Sequence, residues 1–167
     1  VIILPNNGNV IMTAGQVGEV TQGPVGVVPS KTIPHGITAL MSFNPQMDLR
    51  ENLEGMTRAI SNVQTGEVTF AIRDANYNGL TIHEGDVIGL WEDEVVLTEK
   101  EPEQALLELL NRHIQREDPL VSVYYGKDVS SDQAQQILTK LQDRFPNAEI
   151  EMYYGGQPLY YFIFSVE

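Results

Sequence analysis

The sequence predicts an α/β fold with two subdomains: a mixed or parallel sheet with flanking helices, then a C-terminal β-α-β-β subdomain. Apolar β-branched runs alternate with helical periodicity, the middle alternates with a period of two, and the last third reads strand, helix, strand, strand. A chain of 167 residues is long enough for one ordinary domain or two small ones. We place a soft boundary near Glu99 to Pro102, which gives subdomains of residues 1–100 and 101–167.

The chain begins with a predicted strand, helix and strand. Val1 to Leu4 form an apolar run, and the Pro-Asn-Asn-Gly sequence of residues 5–8 is typical of a turn into a helix. A second strand is expected from Val25 to Val28. Two strands joined by a helix in so few residues indicate a right-handed parallel crossover. The apolar positions of this helix are Val10, Ile11, Ala14 and Val17.

Two further helices are expected in the first half. The loop PSKTIPHG, residues 29–36, leads into a short helix that stops at Asn44-Pro45. Asp48 and Glu51 then have the spacing of a capping box, in which a cap and its partner begin a helix. The apolar face of that helix contains Leu49, Leu53, Met56, Ile60 and Val63.

From Gly66 the period changes to two. The segments GEVTFAIRD, LTIHEGDVIGLWED and EVVLT predict strands joined by tight hairpins, with turns at Asn78-Gly79 and at residues 84–86. The segment EPEQALLELLNRHIQRE predicts a helix, with Pro102 in its first turn and Arg112 and Arg116 near its end.

The last third is the most regular part of the sequence. LVSVYYG predicts a strand, a helix with one apolar face follows from about Ser131, and AEIEMYY and LYYFIFSV predict two more strands. Six of the seven tyrosines fall near the ends of these strands: Tyr124, Tyr125, Tyr153, Tyr154, Tyr160 and Tyr161.

Charge and composition exclude several classes of function. Ten basic against 23 acidic residues give a net charge of -13, which repels nucleic acids and anionic membrane surfaces. Acidic residues cluster from Glu92 to Glu103, either as a solvated turn and helix start or as an acidic docking edge. There is no cysteine and no apolar run of membrane-spanning length, so we expect a cytoplasmic protein without membrane insertion. Because the chain opens directly on an apolar run, we also expect it to be part of something longer.

The common motifs of nucleotide, hydrolase and metal sites are missing. No phosphate-binding glycine loop, G-x-S-x-G or H-E-x-x-H pattern occurs in the sequence. His35, His83 and His113 lie in three different predicted elements without ligand-like spacing. We therefore expect no metal, no cofactor and no catalytic residue in this chain.

The loop PSKTIPHG is the first candidate site. It leaves the C-terminal end of a parallel strand and enters a helix, and crevices at that edge collect ligands. Ser30, Thr32 and His35 offer hydroxyl and imidazole groups there, and Asn6 and Asn7 follow the neighbouring strand. The alternative is that the hydroxyls and amides cap local turns while the imidazole lies exposed at the helix start.

The segment YYGGQPLYYF, residues 153–162, is the second candidate site. A tight turn between tyrosine-bearing strands would explain it structurally. However, adjacent tyrosines on a strand point to opposite faces, so burying one face still leaves rings on the other. We therefore expect a binding face that includes Tyr153, Tyr154, Gln157 and Tyr160.

Four segments together resemble a known family. VIILPNNGNVIMTA, VVPSKTIPHGITALMSFNP, TGEVTFAIRD and YYGGQPLYYFIFSVE resemble the C-terminal part of the ATP-binding subunit of bacterial fatty acid kinase, a dihydroxyacetone-kinase-like protein. The resemblance implies a fold similar to that of DegV-type fatty-acid carriers. It also implies that ATP and magnesium bind to an N-terminal kinase domain outside this chain, and that the C-terminal region engages the protein that carries the fatty acid.

Three functions follow from these observations. The first is a docking and regulatory domain whose partners are the fatty-acid-binding carrier and its own N-terminal kinase domain, with a homodimer left open. The second is a small-molecule or lipid-binding module, which predicts an enclosed apolar pocket with polar groups at its mouth. The third, a free-standing hydrolase, ranks last because no nucleophile, base and orienting group cluster in the sequence.

Overall fold

A computed structural model describes residues 1–77, 79–115 and 117–167. Asn78 and Arg116, which the sequence places in a turn and at a helix end, lie outside the described residues. The chain divides into two compact units, Val1–Val63 and Gln64–Glu167, called unit 1 and unit 2 below. The boundary predicted near Glu99 to Pro102 does not coincide with this division. It falls inside unit 2, because strands before and after it are hydrogen-bonded into one sheet.

Unit 1 is a small α/β unit. Its elements are β1 (Ile2–Ile3), a 3-10 turn (Gly8–Val10), α1 (Ile11–Val20), β2 (Gly26–Val27), α2 (Ile33–Met41) and α3 (Leu49–Ile60). The strands β1 and β2 pair in parallel, as the crossover predicts. The capping box is present, since Asp48 accepts from the Glu51 amide and Glu51 accepts from the Asp48 amide. A small core contains Val28, Ala39, Met56 and Ile60.

The first helix is less buried than its apolar spacing suggests. Ile11, Ala14 and Val17 are half-buried along one side of α1, while Val10 is exposed. The helix contains no buried residue.

Unit 2 contains a six-stranded sheet and two helices. Its elements are β3 (Gln64–Phe70), β4 (Ala75–Tyr77), β5 (Leu80–Ile82), β6 (Val87–Trp91), β7 (Glu94–Glu99), α4 (Pro102–His113), β8 (Leu120–Tyr125), α5 (Ser131–Arg144), β9 (Glu149–Tyr154) and β10 (Tyr160–Val166). The order in the sheet is β7-β6-β3-β10-β8-β9, and β4 and β5 form a separate hairpin. The predicted C-terminal β-α-β-β arrangement is present, with β8 and β9 parallel and β10 antiparallel to β8.

One face of the six-stranded sheet packs against the two helices. Alternate residues of the central strands, such as Val123, Phe162 and Phe164, are fully buried with Leu106 and Leu141 of the helices. The Phe164 ring lies directly over Gly66, where an added Cβ would come within 2.2 Å of it. The opposite face, called the helix-free face below, contains the other residues of each strand. Among the described residues, no helix has both the length and the apolar character needed to cross a bilayer.

Candidate functional site

The loop after β2 is held by buried hydroxyl groups. Ser30 and Thr32 are fully buried, and the Ser30 hydroxyl accepts a hydrogen bond from the Asn6 amide at 3.1 Å. Thr32 is the N-cap of α2 and accepts from the His35 amide at 3.4 Å. Each hydroxyl therefore has the local capping role that the sequence left open as the alternative.

His35 is buried, in contrast to the exposed position considered from the sequence. Its Nε2 lies 3.1 Å from the Val63 carbonyl, and its Nδ1 accepts from the Lys31 amide at 3.4 Å. A carbonyl only accepts, so this arrangement places the proton on Nε2. Because both nitrogens bind backbone groups of unit 1, the imidazole stabilises the loop and is not directed to solvent.

The two asparagines have different environments. Asn6 has a positive φ of 53°, and its side-chain oxygen is buried without a hydrogen-bond partner among the described residues. Its amide group lies against Gly36, where an added Cβ would come within 2.2 Å of the Asn6 oxygen. Asn7 is exposed and accepts from the Asn9 amide at 2.9 Å, so it caps the first turn. The structure thus brings Asn6 together with the loop and uses Asn7 as a cap.

The tyrosines at the sheet edge form two pairs on opposite faces. In the parallel register of β8 and β9, Tyr124 lies beside Tyr153 and Tyr125 lies beside Tyr154. The ring centroids are 5.8 Å apart in the first pair and 5.4 Å apart in the second. Tyr154 is 67% exposed and Tyr153 is 46% exposed. Because β9 is the edge strand, both rings are available to a partner.

The turn after β9 is fixed by backbone contacts. The amides of Gly155 and Gly156 both donate to the Tyr125 carbonyl, and the Gln157 side-chain amide donates to the Tyr124 carbonyl at 2.8 Å. The Gln157 carbonyl accepts from the Lys127 amide. Gln157 therefore acts as a clamp between the turn and β8, and it holds the tyrosines in place.

A half-buried carboxylate lies on the helix-free face near Tyr160. Glu67 is opposite Ile163 on β10 and opposite Leu90 on β6. Burial, followed by the charge of Asp93, raises the pKa of Glu67 to about 7. Burial and the charges of Glu67 and Asp93 also raise the pKa of Tyr160. The sequence analysis missed Glu67, although a single charge in the middle of an otherwise uncharged strand could have signalled it.

The predicted site residues fall into two groups, one in each unit. In unit 1 the loop brings Asn6, Ser30, Thr32 and His35 together. In unit 2 the tyrosines and Gln157 lie along β9 and β10, with Tyr153 and Tyr160 on the helix-free face and Tyr154 on the other. The described residues contain no group of three or more His, Asp or Glu side chains able to hold a metal ion.

The architecture is that of the DegV proteins. A DegV family protein from Corynebacterium glutamicum superposes with a TM-score of 0.67 and 12% identity over 99% of this chain and 74% of that one. A DegV family protein from Eubacterium eligens loaded with heptadecanoic acid gives a TM-score of 0.61 and 13% identity over 99% of this chain and 72% of its own. At these identities the likeness shows a shared fold.

The chain belongs to the FakA-like C-terminal family of fatty acid kinases, whose model matches residues 1–167. Protein YloV of Bacillus subtilis is 38% identical over 167 residues, which is 100% of this chain and 30% of that protein. An uncharacterized protein of Staphylococcus epidermidis is 33% identical over 166 residues, again covering 30% of its length. The chain therefore spans less than a third of the curated relatives that it matches.

Proposed function

We propose that this chain is the docking domain of a fatty acid kinase, where it holds an acyl-carrying protein so that the fatty acid reaches ATP bound elsewhere. Family membership supports the fatty-acid context. The observation that carries the proposal is the pair of exposed tyrosines on the edge strand β9, fixed from behind by the Gln157 clamp. Exposed aromatic rings on a rigid support are typical of the residues that dominate binding energy at interfaces.

Docking in this way contributes to catalysis through position alone. The chain supplies no nucleophile or base in the proposal; it fixes the carrier relative to the kinase domain. Fixing two reactants in a productive orientation can account for a large part of a rate enhancement. The Asn6 and Ser30 loop is a second contact surface in the proposal, although its hydroxyls already make local hydrogen bonds.

The test is a binding titration of the acyl-loaded DegV-type carrier against the wild type and against Tyr154→Ala and Tyr160→Ala. Tyr77→Ala is the matched control, because Tyr77 is 40% exposed in the separate β4–β5 hairpin. We expect the two edge variants to bind at least about tenfold more weakly, as for a loss of at least 1.4 kcal/mol. Unchanged binding by both edge variants, with the carrier bound by the wild type, would contradict the tyrosine surface. A carrier that binds none of the proteins would contradict docking itself.

A second candidate function is a lipid-binding module, favoured by one specific feature of unit 1. An open apolar groove of about 380 Å³ is lined by residues of β1, α2, α3 and the α2–α3 loop, including Leu40, Phe43 and Met56. Such a volume lies at the lower end of the range for ligand pockets. Native mass spectrometry after mild purification distinguishes the two functions, since a lipid-binding module carries a stoichiometric acyl ligand and a docking domain does not.

A further inference from the structure

Unit 1 exposes far more apolar surface than unit 2. It carries ten of the fifteen exposed large apolar side chains among the described residues, although it is the smaller unit. Residues 1–47 contain only two charged side chains, Glu19 and Lys31. Large uncharged apolar surfaces on a folded protein mark sites that another molecule covers. The ten side chains are those of Val1, Val10, Met12, Val20, Ile33, Ile37, Leu40, Met41, Phe43 and Met47.

The outer side of α2 forms an apolar stripe with helical spacing. Ile33, Ile37, Leu40 and Met41 are all exposed, with Leu40 at 62% and Met41 at 83%. The inner side of the same helix, with His35 and Ala39, is buried. A helix that is apolar on both sides is typical of a helix packed between two layers. Unit 1 provides only the inner layer.

The small parallel sheet of unit 1 also lacks its usual cover. Strands β1 and β2 pair over only two residues each, and among the described residues no other strand joins their sheet. Parallel sheets are normally covered by helices on both faces and contain more strands. The neighbouring helix α1 has no buried residue. Unit 1 therefore resembles one part of a layered α/β unit whose other part comes from elsewhere.

The groove beside this stripe has no polar group free for a ligand. Asn52, the polar residue in its lining, donates to the carbonyls of Asn44, Met47 and Asp48 and accepts from the Asn44 amide. Its amide is thus fully used by the α2–α3 loop. An acyl carboxylate would find no donor among the groove's side chains, whereas the apolar side chains of a polypeptide need none.

We propose that the apolar face of unit 1, formed by the α2 stripe and the groove, is covered by an amphipathic segment of the same polypeptide outside these 167 residues. The relatives, in which this chain spans 30% of the length, contain enough additional polypeptide for such a segment. The lack of charge on this face fits an apolar segment and excludes one recognised by ion pairs. This inference concerns a different surface from the tyrosine edge and does not rest on carrier docking.

Methionine oxidation in the full-length protein tests the proposal, because the rate of oxidation follows the exposure of the sulfur. Met41 and Met47 lie on the proposed interface, and Met56, which is 1% exposed, is the internal standard for a protected side chain. We expect Met41 and Met47 to oxidise nearly as slowly as Met56 in the full-length protein. Oxidation of Met41 at the rate of a free, denatured methionine would overturn the proposal.

Three controls separate the proposed segment from other occupants. Protection of Met41 that disappears on dilution would indicate a second copy and overturn the proposal, as would protection lost when bound lipid is extracted. The variant Leu40→Asp in the full-length protein should speed the oxidation of Met41 while leaving Met56 protected. Tyr154→Asp, on the exposed edge of unit 2, should leave the oxidation of Met41 unchanged. If Leu40→Asp unfolds unit 1 and exposes Met56, the wild-type oxidation rates still decide the question.

Discussion

Glu67 and Tyr124 lie on either side of Ile163 in one row across the helix-free face of the sheet. Ile163 pairs with Glu67 on β3 and with Tyr124 on β8, and Tyr153 continues the row on β9. Ile163 is buried, so the carboxylate and the phenol are separated by an apolar side chain. The tyrosine pair at the edge is thus joined by direct cross-strand neighbours to a carboxyl group that titrates near neutral pH.

The first prediction concerns the effect of pH on Glu67. Its pKa is raised from 4.5 to about 7 in the folded protein, so folding favours the protonated carboxyl. Folding is therefore penalised progressively as pH rises from about 4.5 to about 7, and the penalty is constant above that range. We expect Glu67→Gln to stabilise the protein by about 1 to 2 kcal/mol at alkaline pH, after allowance for solvent access, and to have little effect at pH 4. Urea unfolding at the two pH values measures this, and a stabilisation of equal size at both would contradict it.

The second prediction uses the only tryptophan as a reporter. Trp91 stacks on His113 with ring centroids 4.0 Å apart and an interplanar angle of 9°. Burial, followed by the charge of Arg112, lowers the pKa of His113 below its ordinary value of 6.5. Protonated imidazole quenches indole, so tryptophan fluorescence should fall on acidification with a midpoint below 6.5. His113→Gln should remove this transition and His83→Gln should preserve it; a transition retained in the first variant would assign it to another group.

The third prediction compares two glycines. An added Cβ at Gly126 would come within 2.0 Å of the Tyr160 carbonyl oxygen, which belongs to a paired strand and has little freedom to move. Gly126→Ala should therefore destabilise unit 2 by about 1 to 3 kcal/mol, the usual range for overpacking. Gly55→Ala is the matched control, because nothing lies within 4 Å of the new Cβ in helix α3. It should stabilise unit 1 by up to about 1 kcal/mol through helix propensity. Thermal unfolding followed by circular dichroism gives both signs.

The fourth prediction concerns the loop between α2 and α3. The buried Asn52 amide holds the carbonyls of Asn44, Met47 and Asp48 together. Asn52→Leu leaves these groups without their donor and should cost about 1 to 3 kcal/mol, the penalty for unsatisfied buried polar groups. Asn9→Leu, at an exposed position of the first turn, is a control that should be close to neutral. Hydrogen exchange in residues 43–48 should rise in the first variant; unchanged exchange there would show that the loop does not depend on the clamp.

Most of the fold follows from local patterns in the sequence. The capping box at Asp48 and Glu51, the parallel pairing of β1 and β2, and the C-terminal β-α-β-β arrangement were all predicted correctly. These features depend on near neighbours in the chain, where periodicity and capping residues are informative. The division of the chain was not, because pairing between β3 and β10 joins residues nearly a hundred positions apart.

The candidate site was predictable only as a set of residue types. The sequence placed Ser30, Thr32 and His35 in one loop, but burial and the bond from His35 to the Val63 carbonyl depend on a distant residue. In the same way, the pairing of the tyrosines requires the register of β8 against β9, which the sequence does not state. Glu67 escaped notice because its environment is created by strands on both sides.

The two outer strands of the sheet carry glutamates, at Glu149 and Glu151 on β9 and at Glu94 and Glu99 on β7. An open strand edge is a template on which further molecules can add indefinitely, and fixed like charges along it oppose that growth. The same carboxylates that give the molecule its acidity therefore act as a safeguard against fibre formation. Acidification removes the safeguard at both borders simultaneously, so storage at low pH should favour amyloid-like association.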